Sequence, residues 1–294
     1  MMAALFLADA KIKNVLLFER NERLGKKLSA TGNGQGNISN ENMGAHRYFS
    51  SDTEKVAQVL SAFGREDLVR FLTSLGGFFV SDGEGRIYPS SRQAASVTDI
   101  LRFALAERGV TVKTGEFVKR LVRKGHHFCL ETDKGSYAAR YALIAAGGKA
   151  SPHFGADGNG YALAQGFGHS VTALSPALVQ LKTERESIRG LKGIRMDCGV
   201  RLLRRGEEMY ACRGDVIFTD YGVSGNAVFK ISSYASEGDV LSLDLLPECG
   251  EAALARLLKD KAERWSHLAA DELLRCIVNS AAARSLMRSV GVRA

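Results

Sequence analysis

Glu19 closes the apolar run Val15-Leu16-Leu17-Phe18. An acid at the end of a buried parallel strand is the residue type that accepts hydrogen bonds from ribose hydroxyls in a nucleotide-binding βαβ unit. The glycine fingerprint of such a unit lies about 20 residues before the acid, and here that count runs off the start of the sequence. A lone glutamate after an apolar run is by itself an ordinary surface residue, so the neighbouring segments carry the weight. Gly32-Asn33-Gly34-Gln35-Gly36-Asn37 places glycines at alternate positions, which lets backbone approach a flat or charged ligand closely. Lys26, Lys27 and Asn40 flank it and are suited to phosphate or ring heteroatoms. A second apolar run, Tyr141 to Ala146, ends in Gly147-Gly148. In an open α/β sheet this is where strand ends bring backbone to a ligand.

Strands and helices must position these residues. Residues 1–10 form a short apolar pattern read as a buried helix. Val15 to Phe18 reads as a parallel strand buried on both faces, followed by a long Gly/Asn/Ser loop. Helical periodicity spans 54–75 and stops at Gly76-Gly77. Phe78 to Tyr88 reads as a hairpin, and Gln93 to Arg108 as an amphipathic helix. The period then changes: 111–143 carries short strands with turns at Lys124-Gly125 and Asp133-Lys134-Gly135. Tyr141 to Ala146 is the last strand, and 158–168 a helix. From about 185 to 247 the pattern is β, with a turn into a helix at Asn226; 251–265 and 270–278 are helical. The shift near 185 is the predicted domain boundary, giving domains 1–185 and 186–294.

Other chemistries find little support. The five cysteines are scattered, with no C-x-x-C pair, which speaks against a disulfide framework or zinc site and for a reducing cytoplasm. His126-His127 lacks further ligands, so no metal is expected. His153 and His169 have structural readings near a glycine-rich segment and a helix end. Gly222-Val223-Ser224-Gly225 fails the spacing of a nucleophile elbow. The formal charge of +8 reads as a solvated basic surface; attraction to a phosphate-bearing cofactor, an acidic substrate or nucleic acid is the sharper alternative. No apolar run approaches the roughly 18 residues of a membrane-spanning helix, so a membrane partner is not expected.

The segments FERNERLGKKLSATGNGQGN, GRIYPSSRQAASV, YALIAAGGKASPHFGADGNGYALAQGFGH and FTDYGVSGNAVFKIS together resemble the BaiN-like (YhiN-like) flavoproteins, described as NAD(P)/FAD-dependent oxidoreductases or the aminoacetone-oxidase family. The resemblance runs over nearly the whole chain in the same motif order. It implies an α/β fold: a Rossmann-like, doubly wound FAD-binding sheet, interrupted by an inserted β-barrel-like and helical domain. It implies FAD as cofactor, with Glu19 on the adenosine ribose, Arg20, Lys27 and the loop residues Gly32, Asn33, Gly34 and Asn37 against the FAD, the backbone of Val118 on the adenine, and Ala146 and Gly147 beside it.

The sequence departs from the family where members begin with a strand and glycine-rich turn, and where they return to complete the flavin pocket. It also carries Gln35-Gly36 where members have Arg-Cys. The expectation is therefore a partial FAD domain without its first strand, binding FAD more weakly than a restored chain. In flavoenzymes the cofactor carries the redox chemistry, so no catalytic acid or nucleophile is nominated. The expected function is a cytoplasmic FAD-dependent oxidoreductase, NAD(P)H as donor, acting on a small or steroid-like organic substrate. The alternative is a non-catalytic remnant with weak or no FAD binding. A nucleic-acid-associated flavoprotein rests on charge alone, and nucleic acid is not the expected partner.

Overall fold

A computed structural model describes residues 1–292. The chain divides into two compact units, Met1–Ala173 and Leu174–Ala294; the change of pattern near 185 falls inside the second.

The first unit opens with helix α1 (Met2–Asp9) and strand β1 (Leu16–Glu19). Strand β2 (Ser39–Asn40), helices α2 (Thr53–Ala62) and α3 (Arg65–Ser74), strands β3 (Phe79–Ser81) and β4 (Arg86–Pro89) and helix α4 (Ala94–Glu107) follow. Then come β5 (Thr111–Thr114), β6 (Val118–Lys124), β7 (His127–Thr132), β8 (Ser136–Ala139) and α5 (Asn159–Gln165). β1 pairs in parallel with β5, Glu19 opposite Thr114. This is the α/β arrangement the sequence predicts, with the acid at the strand's carboxyl end.

α4 shows why the core forms where it does. Ala94, Val97, Thr98, Leu101, Ala104 and Leu105 recur at helical spacing and are all buried. They meet Ala4 and Leu5 of α1, Leu24 and Leu72. Full burial of a leucine stabilises by roughly 1.5–3 kcal/mol, so this stripe fixes α4 beneath the loops that follow β1.

Three readings need correction. The 54–75 periodicity is two helices, because Phe63 is extended and Gly64 begins α3, its N–H donating to Asp67 (2.9 Å). β1 is not buried on both faces: Leu16 is 38% exposed. Tyr141 to Ala146 joins no ladder among the described residues, and Tyr141 and Leu143 are 80% and 70% exposed. An apolar run becomes a strand only when a neighbour accepts its backbone groups, and no described strand flanks it.

The second unit holds β9 (Leu181–Lys182), β10 (Arg195–Arg204), β11 (Glu207–Phe218), β12 (Gly222–Ser224), α6 (Asn226–Ser232) and β13 (Val240–Asp244). The sheet order is β13-β10-β11-β12-β9, a curled antiparallel sheet in keeping with the β-barrel-like domain that the resemblance implied. Inward residues alternate along β10 (Cys198, Val200, Leu202) and pack with Val216, Phe218 and the buried face of α6. Three helices complete it: α7 (Glu251–Arg264), α8 (Ala270–Leu273), shorter than predicted, and α9 (Ser280–Ser289), which the sequence reading did not resolve. Residues 293 and 294 lie outside the described residues.

Candidate nucleotide site

The site is built on the turn after β1. The Glu19 carboxylate accepts through one oxygen, Oε1, from the Asn21 backbone N–H and from Asn21 Nδ2, both at 2.8 Å. This fixes the carboxylate's direction at the strand end. Its other oxygen, Oε2, accepts no hydrogen bond among the described residues, which keeps it available to hydroxyl donors.

Arg20 and Lys27 turn toward the segment that follows 141–146. Arg20 donates to Asp157 Oδ2 (2.7 Å) and to the Gly155 carbonyl (3.1 Å). The bond from Arg20 holds the Asp157 carboxyl below its ordinary value. The Arg20 guanidinium also stacks over Phe117 at 4.4 Å. Asn21 Nδ2 donates to the Phe154 carbonyl (3.1 Å), and Lys27 Nζ to that of Ala150 (3.0 Å). The left-handed backbone at 155 favours glycine: its φ is +87°, and a Cβ there would make tight contacts of 3.1 Å with the movable Arg20 Cδ and Asn21 Nδ2. Asn159 closes the circle by donating to the Val118 carbonyl (3.1 Å).

The structure thus brings Glu19, Arg20, Lys27 and Val118 into one network with residues 150–159. Ala146 and Gly147 stand at its edge: a Cβ on Gly160 would lie 3.2 Å from Ala146 Cβ. It does not draw Gly32, Asn33, Gly34 and Asn37 into the same hydrogen bonds. That loop coils over the start of α4, with Gly32 and Asn33 left-handed (φ 56° and 55°). A Cβ on Gly36 would meet the Ala94 Cα at 2.8 Å. Gly34 has no atom within 4 Å of where its Cβ would stand.

Sequence reading missed Asn21, Asp157 and Asn159. A signal existed for two of them: Gly155-Ala156-Asp157-Gly158-Asn159-Gly160 interleaves glycines with polar residues much as 32–37 does. Also missed was Glu116, whose buried carboxylate accepts from Thr132 Oγ1 (2.7 Å). Its bond with the Tyr137 phenol raises that group's pKa. Glu116 lies just beyond the end of β5, and Tyr137 lies in β8. The His153 ring lies tilted against Phe154, with centroids 4.1 Å apart. Among the described residues no cluster of three or more His, Cys, Asp or Glu is placed to hold a metal.

Residues 1–245 match the HI0933-like protein Rossmann domain. The chain belongs to that family. It is 36% identical over 266 residues to the 3-dehydro-bile acid delta(4,6)-reductase of Clostridium scindens, covering 88% of this chain and 65% of that protein. It is 26% identical over 245 residues to the ribosomal RNA dihydrouridine synthase of Escherichia coli K12, covering 82% and 60%. The chain therefore spans less than two thirds of these relatives' length. Among solved structures, glycine oxidase from Geobacillus kaustophilus is similar over 88% of this chain and 74% of that one, at 15% identity and a TM-score of 0.33. No described helix is long and apolar enough to cross a membrane.

Proposed function

We propose that this chain is the nucleotide-holding part of an FAD-dependent oxidoreductase that reduces a carbon–carbon double bond conjugated to a carbonyl. The observation that carries the reading is Glu19, an acid at the carboxyl end of a parallel strand, held by Asn21 with its second oxygen free. That donor-seeking oxygen fits a ribose diol. The Val118 carbonyl, which accepts from Asn159 (3.1 Å), is a backbone acceptor of the kind that suits an adenine amino group. The backbone at Ala146–Gly147, and Gly34 with open space before it, suit close approach of a flat ring. Arg20 and Lys27 are committed to the 150–157 segment, so their part is to shape the site; neither is free to act as a lone phosphate ligand.

FAD, when bound, supplies hydride and electron transfer. The chain's residues bind and orient it: Glu19 accepts the ribose hydroxyls, Asn21 fixes the carboxylate, and Arg20 with Asp157 holds the facing loop in place. The reaction class draws on the relatives. A 3-oxo-4,6-diene and the uracil ring both carry a double bond conjugated with a carbonyl, and both are reduced by two electrons and two protons. NADH or NADPH is the expected electron source, and the higher identity favours a small, steroid-like substrate. A uridine base in RNA is the second reading, supported by the similarity to the ribosomal RNA dihydrouridine synthase.

Titration of the chain with FAD by fluorescence quenching tests the site. Glu19→Ala is expected to weaken binding by about 1.5–3 kcal/mol for each charged hydrogen bond lost. Unchanged affinity would remove Glu19 from the site. On the full-length protein, anaerobic oxidation of NADH or NADPH with a 3-oxo-4-ene steroid or with a uridine-containing RNA separates the substrates.

A further inference from the structure

The meander β6–β7–β8 has two unlike faces. Its register sets Arg120 opposite Glu131, Val122 opposite Cys129 and Lys124 opposite His127, with Ser136 and Ala138 completing the first two rows. The alternate residues Leu121, Phe128, Leu130 and Tyr137 form the inner face: Leu121 is buried, Tyr137 packs on Phe18 and Phe128 on Phe167. Strand alternation therefore turns Arg120, Lys124 and His127 outward, and Arg140, just past β8, continues that series. Residues 118–140 hold six lysines and arginines against two acids, half of the chain's net +8.

We propose that this outer face docks the phosphate backbone of an RNA. The proposal rests on the RNA reading of the substrate given above. Among the described residues, Lys124 and Arg140 make no ion pair, and Arg120 has only Glu131 at 3.5 Å. Their charge is thus not neutralised within the chain. The middle of the face is small, Val122, Cys129 and Ala138, so a backbone can lie flat across it. A face that enters a membrane carries large apolar or aromatic residues beside its cations, and this one has none. A row of cations with a single long ion pair and no apolar anchors suits phosphate contacts, which position a nucleic acid without reading its sequence.

The experiment follows a short fluorescein-labelled hairpin RNA by anisotropy across a salt series, using the chain without added flavin. Arg120→Glu, Lys124→Glu and Arg140→Glu together are expected to weaken binding more than about tenfold and to reduce the salt slope by roughly 2. The same charge change at Arg256, Lys259 and Arg284, exposed residues of the second unit, is the control and is expected to have a smaller effect. Equal effects from the two triple variants would reduce the face to bulk charge and overturn the proposal. So would an unchanged affinity, or binding of the unaltered chain to anionic phosphatidylserine vesicles but not to RNA. FAD titration of the face variant keeps the two readings apart: FAD affinity is expected unchanged, and only the Glu19 variant bears on the flavin site.

Discussion

Two glycine-interrupted loops lie in the first unit, and they are held by different forces. The 32–37 loop is held by shape: Gly36 stands against the backbone at the start of α4, and Ala94 leaves no room for a side chain. The 150–159 loop is held by polar contacts: Arg20 to Asp157 and Gly155, Lys27 to Ala150, Asn21 to Phe154. A steric lock ignores salt and acid; an electrostatic one does not. The loop that faces Glu19 is thus the adjustable one, and the loop on α4 is a fixed wall.

The largest expected effect comes from breaking the wall. Gly36→Ala combines a left-handed backbone (φ +80°) with a Cβ 2.8 Å from the Ala94 Cα. The first costs about 1–2 kcal/mol and the overpacking about 1–3 kcal/mol. A thermal melt is expected to fall by roughly 5–15 °C; an unaltered melt would mean the loop does not rest on α4.

Gly155→Ala is expected to cost less, about 1–2 kcal/mol. Its nearest neighbours are the movable ends of Arg20 and Asn21, which can yield. A loss as large as that of Gly36→Ala would erase the contrast between the loops.

Smaller again is Arg20→Ala. The ion pair is partly exposed, 33% for Arg20 and 47% for Asp157, and such pairs contribute about 1 kcal/mol or less. The melt is expected to stay within error while amide exchange across 150–159 speeds up and that across 32–37 does not. Faster exchange in both loops would show that they share one lock.

The subtlest outcome is in pH. Asp157 has a folded pKa lowered from 3.8, chiefly by the bond from Arg20. A depressed carboxyl contributes stability above its unfolded value and loses it as pH falls through the folded value. The Asn159 N–H donates to Asp157 Oδ1 (3.1 Å), so its amide resonance is expected to titrate below 3.8 and to move up in Arg20→Ala. A midpoint indifferent to Arg20 would remove the charge from the lock.

These contrasts mark what a linear sequence displays. Glu19 was legible only in company: an acid after a short apolar run is by itself an ordinary surface residue, and the glycine-rich segments at 32–37 and 147–148 gave it weight. The glycines of 32–37 were legible as a close-approach loop, but not the surface they approach, since Ala94 lies far along the chain. Arg20 and Asp157 are 137 residues apart, and nothing near either names the other. Tyr141 to Ala146 fails differently. Its composition is that of a strand, yet pairing belongs to two segments, and the second is not among the described residues. The basic stretch Lys119 to Lys124 was legible as a half-exposed strand more than a nucleic-acid tail, because its Lys and Arg alternate with Leu and Val; only register shows which cations share a side.

Trp265 is the single tryptophan. It sits in the second unit with Arg264 and Lys261 over its ring, while every residue of the candidate site is in the first. Emission excited at the red edge of protein absorbance therefore watches one half of the chain only. If the first unit melts alone, helical ellipticity falls while the indole signal stays still. Two optical probes on one sample thus resolve, without labels, whether the nucleotide-holding half can open while the other stays folded.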